Sequence, residues 1–212
     1  MYNLADIIRF KQKRALSLPS SSIAYRYISQ IEKPLLGRQF IGKRGPPVDF
    51  NLLSTIIADV KAEPVPKDYF SIHLRLGDLT GRVPFESYIN LIKQHELDSK
   101  YKGATIFWGI HNGKGVKKST EYIDNLTRAI KRLGLKVSIR SDEVDKDLKS
   151  LAESPCLILS VGGFSWLAGS LNPHHVIWDH QAPPRFPWAD RSRPNTHRRL
   201  NQLRLGYNYQ KE

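Results

Sequence analysis

The sequence predicts an α/β fold, in which a parallel β-sheet carries helices on both faces and follows a small helical N-terminal segment. Two observations lead to this prediction. From residue 67 to residue 180, short apolar runs alternate with amphipathic runs at a spacing of about 10–15 residues, the rhythm of consecutive βαβ units. Before residue 67, short helical stretches are separated by Pro, Gly and Ser. We therefore divide the chain into a helical segment, residues 1–66, and a Rossmann-like domain with a basic C-terminal tail, residues 67–212.

The N-terminal segment contains two predicted helices. Residues 4–16 are weakly amphipathic and are followed by a Ser/Pro cluster at residues 17–22, and residues 42–47 form a Gly/Pro loop. Residues 49–60 form the second helix, because their apolar residues recur at helical spacing. Pro64 and Pro66 end it.

The larger domain contains five predicted strands and four predicted helices. The strands cover residues 70–74, 104–110, 135–139, 156–161 and 175–178, and the helices cover residues 85–95, 119–133, 142–152 and 164–171. Ser119 is predicted to cap the second of these helices, and Gly134 to end it. Because ligands of such sheets bind outside the carboxyl ends of the strands, we expect the functional residues to lie just after residues 74, 110, 139 and 161.

Composition excludes several classes of protein. The 212 residues are 40% hydrophobic and 25% charged, which is typical of globular domains. No apolar run approaches the length of about 18 residues that spans a membrane, and the N-terminus lacks the continuous apolar core of a secretory signal. The single cysteine, Cys156, rules out an intrachain disulfide framework and fits a reducing compartment. We therefore expect a cytoplasmic protein.

The chain is strongly basic, with 33 Lys and Arg against 20 Asp and Glu and a net charge of +13. Such an excess attracts nucleic acid, an anionic surface or a phosphorylated small molecule, and does not choose among them. One alternative is therefore a basic module that binds RNA or another polyanion through the C-terminal tail, where arginines and aromatic residues are interleaved. Against nucleic acid, the sequence has no recognised RNA-binding motif. The arginines are Arg185, Arg191, Arg193, Arg198, Arg199 and Arg204, and the aromatics are Phe186, Trp188, Tyr207 and Tyr209.

The first polar cluster, His73-Leu74-Arg75-Leu76-Gly77-Asp78, lies at the carboxyl end of the first predicted sheet strand. Arg75 can present a planar fork of donors to a phosphate, and Asp78 can hold it in place. Gly77 allows a sharp turn and close approach to a ligand. The alternative is that Arg75 and Asp78 form a loop ion pair and that His73 is a hydrogen-bonded, half-buried side chain.

The second cluster, Gly162-Gly163-Phe164-Ser165, leads from a strand into a helix. Backbone N–H groups at a helix N-terminus, with the Ser165 hydroxyl, form an anion site that needs no metal. The alternative is a tight turn in which Ser165 caps the helix and Phe164 packs. Arg75 and this helix N-terminus share one edge of the sheet, so together they predict a clamp for a diphosphate.

These motifs resemble a glycosyltransferase family. The segment from His73 to Asp78 is similar to the H-x-R-x-x-D motif of α-1,2-, α-1,6- and protein-O-fucosyltransferases, and Gly163-Phe164-Ser165-Trp166-Leu167-Ala168 resembles their later F-S-W segment. The two motifs occur in the family's order, about 85 residues apart, and the resemblance covers roughly half of the chain. It implies one half of a GT-B-type enzyme, the half that binds the sugar-nucleotide donor, usually GDP-fucose.

The resemblance also implies roles for residues. Arg75 would contact the donor β-phosphate and stabilise its departure, Asp78 would support that site, and Ser165 with Phe164 would bind the diphosphate or ribose. His73, Gly77, Gly162 and Gly163 would lie at the donor. The reaction would be an inverting transfer to a glycan hydroxyl without a metal ion or other cofactor. Asp78, or less readily His73, would be the base.

The chain departs from the family at three places. Leu76 replaces the second arginine of the first motif, which leaves the identity of the donor sugar nucleotide open. His111 and Asn112 stand after the second strand, where the α-1,2 group tends to have acidic residues; they either face the donor or lie in a surface loop. Only about 66 residues precede the donor half, so the acceptor half is reduced, lies outside this chain, or comes from another subunit of an oligomer.

The other candidate sites have weaker support in the sequence. Asp142, after the third strand, either accepts hydrogen bonds from a guanine edge or merely favours the start of a helix. Asp145-Lys146-Asp147 matches the metal-binding D-x-D motif, but it falls inside a predicted helix, where alternate residues point apart. No histidine has partners spaced as metal ligands, so we predict no metal site. The chain also lacks the glycine patterns of P-loop and dinucleotide-binding proteins.

Overall fold

The protein is described by a computed structural model that covers residues 50–77, 80–81, 83–111 and 115–178, together with Arg26. Helix α1, Phe50–Ala58, corresponds to the second helix predicted for the N-terminal segment. The predicted helix at residues 4–16, the loops at residues 17–22 and 42–47, and the basic C-terminal tail lie outside the described residues.

The rest of the described chain alternates strands and helices. The strands are β1 (Tyr69–Gly77), β2 (Gly103–His111), β3 (Lys136–Arg140), β4 (Cys156–Leu159) and β5 (His175–Trp178). The helices are α2 (Phe85–Gln94), α3 (Leu97–Lys100), α4 (Val116–Arg132), α5 (Val144–Ala152) and α6 (Gly163–Leu171).

The five strands form one parallel sheet in the order β3-β2-β1-β4-β5. The chain builds the sheet outward in one direction from β1 to β3, and then crosses back to place β4 on the other side of β1. The point of reversal lies between β1 and β4, and sheets of this kind bind ligands at that point. The predicted α/β, Rossmann-like fold is confirmed.

Helices cover both faces of the sheet. On one face, α2 and α4 pack against the alternate residues of β1 that begin with Phe70 and end with Leu76. On the other face, α1, α5 and α6 pack against Phe107 of β2 and against Leu157 and Leu159 of β4. Strands that are buried from both sides need apolar side chains at successive positions, which explains the continuous apolar run of β4.

Two element boundaries differ from the predictions in ways that affect the site. Strand β1 continues to Gly77, because it pairs with β2 over its whole length, ending at Gly77 and His111. Arg75 is therefore a strand residue, paired with Gly109 of β2. Strand β4 ends at Leu159, two residues earlier than predicted, which leaves Ser160 in the turn before α6.

The predicted cap of helix α4 is wrong. The helix begins at Val116, and its N-cap position is Gly115, whose φ of 70° suits a residue without a side chain. Ser119 lies in the first turns, fully buried, and its hydroxyl points toward the end of β1. The observed N-cap lies four residues before the predicted one, because the first exposed turn carries no apolar periodicity.

None of the helices in the described residues combines the length and the hydropathy needed to cross a bilayer.

Candidate functional site

The point of reversal in the sheet brings the two predicted clusters together. The backbone N–H of Arg75 donates to the Ser160 hydroxyl at 3.4 Å. At Gly162 the φ angle is 101°, and an added Cβ atom would lie 2.8 Å from Nη1 and 3.0 Å from Cδ of Arg75. The Arg75 side chain therefore lies directly against the backbone of the turn that leads into α6.

This contact places a cation beside a helix N-terminus. The first hydrogen bond of α6 runs from Trp166 N–H to the Gly162 carbonyl at 3.2 Å. The N–H groups of Gly163, Phe164 and Ser165 precede it, where an α-helix offers no carbonyl of its own to accept them. A helix N-terminus carries a partial positive charge, and Arg75 adds a full one. The arrangement is suited to a group with two or more negative charges, such as a diphosphate.

Ser165 connects this turn to β1. Its hydroxyl accepts a hydrogen bond from Ser160 N–H at 3.1 Å and makes a short hydrogen bond with Nδ1 of His73. Because the hydroxyl accepts from Ser160, we assign its proton to the bond with Nδ1, and the proton of the neutral imidazole to Nε2. The Ser165 side chain is fully buried, so its hydroxyl faces the protein interior.

His73 is held neutral. It is 8% exposed, and its ring packs against the ring of Phe164 with centroids 5.1 Å apart. Burial, followed by the charge of Arg75, lowers the pKa of His73 to about 3. A group that takes up a proton only near pH 3 is a poor general base at neutral pH, so the geometry favours His73 as a support for the turn at Ser165.

The end of β1 is fixed by two hydroxyl groups, and no local sequence pattern links them to the site. Gly77 N–H donates to Thr80 Oγ1 at 2.7 Å and to Ser119 Oγ at 3.2 Å, and the two hydroxyls are 2.8 Å apart. The φ of Gly77 is 85°, so the turn that we predicted for it is confirmed. Asp78, the next residue, lies outside the described residues.

Two of the remaining predicted residues, His111 and Asp142, lie further along the same edge. The backbone of His111 pairs with Gly77 at the end of β2, and Asn112 lies outside the described residues. Asp142 is exposed in the turn between β3 and α5, and its backbone N–H donates to Asp147 Oδ1 at 3.4 Å. Strand β2 separates this turn from Arg75. The structure thus joins His73, Arg75 and the α6 turn directly, and sets Asp142 apart from them.

The acidic D-x-D segment has a structural explanation. It lies in the first turns of α5, as predicted, and Asp147 is nearly buried. Burial raises the pKa of Asp147 to about 6, although its hydrogen bond from Asp142 N–H favours the charged form. Among the residues that the structure describes, no three His, Cys, Asp or Glu side chains are grouped as metal ligands.

A small cleft with room for about one water molecule also reaches Arg75 from the other face of the sheet. Leu74, Val161 and the two tyrosines Tyr88 and Tyr122 contribute to its walls. The hydroxyl of Tyr122 donates to the carbonyl of Val83, another residue of these walls, at 2.7 Å. Arg75 therefore lines a solvent-accessible space as well as the α6 turn.

Comparison with family models, with curated proteins and with solved structures finds no match to this chain. The function has to be argued from the residues and geometry of the site itself.

Proposed function

We propose that this protein is a glycosyltransferase that transfers a sugar to a hydroxyl group of a glycan. The leading candidate for the donor is GDP-fucose, from which fucose would be transferred. The observation that carries the proposal is the packing of the Arg75 side chain against Gly162 at the N-terminus of α6. It supports a site for the diphosphate of a sugar nucleotide, at the edge where parallel sheets bind such ligands. The resemblance of both segments to fucosyltransferase motifs supplies the choice of fucose.

The chemical step is an inverting displacement. The acceptor oxygen forms a bond to the anomeric carbon from the face opposite the leaving group, and the bond from that carbon to the diphosphate oxygen breaks. The electron pair of the broken bond stays on the diphosphate, whose charge rises as it departs. Arg75 and the N–H groups of Gly163 and Phe164 neutralise that charge, and they need no reorganisation to do so. In this proposal they replace a metal ion.

The acceptor hydroxyl loses its proton to a base. With a pKa of about 3, His73 serves the site as a positioning residue, and the proposal gives the base role to Asp78. The imidazole is hydrogen-bonded to the Ser165 hydroxyl, which also accepts a hydrogen bond from Ser160 N–H. These two bonds fix the turn that contains Gly162. The proposal also assigns contacts with the donor to His111, Asn112 and Asp142, and it takes a glycan as the second substrate.

The proposal includes a cytoplasmic location, which the single, fully buried cysteine supports. It also includes an acceptor surface formed by residues 1–66 or by another subunit.

Nucleotide binding tests the proposal directly. We would measure the melting temperature of the full chain with GDP, GDP-fucose, UDP, UDP-sugars and dTDP-sugars, with NAD as the negative control. A ligand that binds only the folded state raises the melting temperature by mass action, by an amount that grows with its concentration over its dissociation constant. We expect GDP and GDP-fucose to raise it, and the transfer product to appear when a glycan acceptor is added.

Each outcome has a distinct meaning. A selective response to UDP or dTDP would retain the enzyme class and change the donor, with Leu76 as the first residue to examine. No response to any nucleotide, combined with salt-sensitive binding of RNA, would replace the proposal with the polyanion-binding alternative, because phosphate-backbone binding weakens steeply with salt. Nucleotide binding without turnover would leave a binding protein.

A further inference from the structure

Gly109 is a glycine that the fold does not require. It lies inside β2, its φ is outside the left-handed region, and no atom of the described residues comes within 4 Å of a Cβ atom built on it. Packing explains other glycines: a Cβ at Gly103 would lie 2.6 Å from the ring of Tyr69, and one at Gly169 would lie 2.7 Å from Leu159. A glycine inside a strand weakens the strand, and it often marks close approach by a ligand.

The position of Gly109 in the sheet is next to the candidate site. It pairs with Arg75 across the β1–β2 ladder, so positions 109 and 75 face the same side of the sheet. On that side, the preceding residue of β2 is Phe107, which is buried under the apolar layer, whereas Gly109 itself is exposed. The apolar core therefore ends at Phe107, and an open space begins at Gly109.

Two kinds of charge flank this open space. On one side are Arg75 and the N-terminus of α6, which favour anions. On the other side is β3, where the guanidinium of Arg140 lies over the Phe107 ring and pairs with Glu63. The turn from β3 into α5 then carries the exposed carboxylate of Asp142. Adjacent strands are about 4.8 Å apart, so β1 and β3 are separated by about 10 Å, with Gly109 between them.

We propose that Gly109 is a specificity-determining residue, and that the nucleoside part of the sugar nucleotide occupies the open space above it. The diphosphate then lies at Arg75, and the base extends toward the turn that carries Asp142. A planar ring can approach the bare backbone of a glycine, whereas a side chain at this position would occupy its place. This inference rests on the proposed function, because it takes the ligand to be a nucleoside diphosphate.

The test is the substitution Gly109→Val. Because the added side chain enters open space and valine favours strands, we expect the melting temperature without ligand to stay the same or to rise. The affinity for GDP, measured by titration calorimetry on the full chain, should fall by about tenfold or more. Gly109→Ala adds a single methyl group, and should weaken GDP binding less while leaving the melting temperature unchanged.

Ser138→Val is the matched control. Ser138 is exposed on β3 and pairs with Thr105, so the new side chain lies on the same face of the sheet but four residues away from the level of Gly109. It adds the same β-branched side chain outside the space in question, and GDP binding should stay as in the wild type.

The outcomes separate this inference from the proposed function. If the wild-type chain binds GDP and Gly109→Val binds it equally well, the inference is overturned and the proposed function stands. The same holds if GDP binding is kept while only GDP-fucose binding or transfer is lost, because the space would then hold the sugar. A marked fall in the melting temperature of the unliganded valine and alanine variants would also overturn it, because the space would then be filled by the protein. If the wild type binds no nucleotide, the proposed function is overturned, and the inference is overturned with it because it takes the ligand to be a nucleoside diphosphate.

Discussion

The guanidinium group of Arg75 occupies the volume that any side chain at Gly162 would need, since an added Cβ would lie 2.8 Å from its Nη1 atom. The two residues are far apart in the chain, and meet because β1 and β4 are neighbours in the sheet. The absence of a side chain at one position thereby sets the orientation of the cation at the other.

Gly162→Ala should therefore damage the site beyond its cost in stability. The φ of 101° is a conformation that residues with a side chain rarely adopt, so we expect a loss of about 1–3 kcal/mol in the free energy of unfolding. The Cβ should also displace Arg75 and reduce GDP binding, measured by calorimetry. Gly134→Ala is the control: φ there is also positive, at 83°, but the added Cβ meets open space. Equal nucleotide affinity in the two variants would contradict the role of Gly162.

Arg75→Ala should reduce transfer by about 10²–10³-fold, the usual cost of removing one donor to a developing negative charge. Arg75→Lys should also be poor, because an ammonium group supplies a point charge in place of a planar fork. Arg132→Ala removes the same charge from an exposed position in the last turn of α4 and should keep full activity. The measurement is turnover of GDP-fucose, with the melting temperature as a check on folding. Near-wild-type turnover in Arg75→Ala would remove the basis of the proposal.

Ser165→Ala should destabilise the protein, because it leaves Nδ1 of His73 and the N–H of Ser160 without the hydroxyl that both bind in the interior. We expect a loss of about 1–3 kcal/mol in the free energy of unfolding, measured in urea. Ser170→Ala is the matched control, since Ser170 is a buried serine of the same helix whose hydroxyl has no hydrogen-bond partner among the described residues. It should change the free energy of unfolding little. Similar losses in both variants would show that the bonds of Ser165 contribute no more than ordinary packing.

The His73 imidazole should make stability depend on pH. Its folded-state pKa of about 3 lies below its ordinary value of 6.5, so the unfolded chain binds a proton first as the pH falls. Its contribution is complete above pH 6.5 and is lost as the pH falls toward about 3, by at most about 1.4 kcal/mol per pH unit. His73→Asn, in which the amide oxygen can accept from Ser165, should lack this dependence.

The measurement for His73 is urea unfolding of wild type and His73→Asn between pH 7 and pH 4. The contributions of His175, whose pKa is also lowered, and of Asp147, whose pKa is raised, are common to both proteins and cancel in the difference. The wild type should lose stability relative to the variant as the pH falls. Parallel curves would mean that His73 takes up its proton over the same pH range in the folded and unfolded protein, so that folding does not lower its pKa.

The sequence predicted the fold well, because the features that determine it are local. The apolar stripe of α4, which includes Ile123, Leu126 and Ile130, and the all-buried run of β4 are visible in the chain itself. Their alternation predicts parallel strands, and the strand ends then place Arg75 and Gly162 at one edge.

Other features of the site depend on contacts between distant residues, and no local pattern carries them. His73 and Ser165 are 92 positions apart, and only the pairing of β1 with β4 shows that the serine hydroxyl faces the imidazole. The preference of serine for N-cap positions predicts Ser119 as a helix cap, whereas its hydroxyl accepts a hydrogen bond from Gly77 N–H at the end of β1. Gly109 has no sequence signal of its own, since its open surroundings appear only once its strand is paired with β1.

The single cysteine offers a way to observe the sheet opening. Cys156 is fully buried at the start of β4, and burial raises the pKa of its thiol to about 12. Thiolate is the form that reacts with alkylating reagents, so the folded chain should resist them at neutral pH. Labelling therefore requires β4 to separate from its neighbours, and the rate of alkylation of Cys156 reports how often that separation occurs. A nucleotide bound between β1 and the α6 turn would lower this alkylation rate only if it holds β4 and its neighbouring strands together.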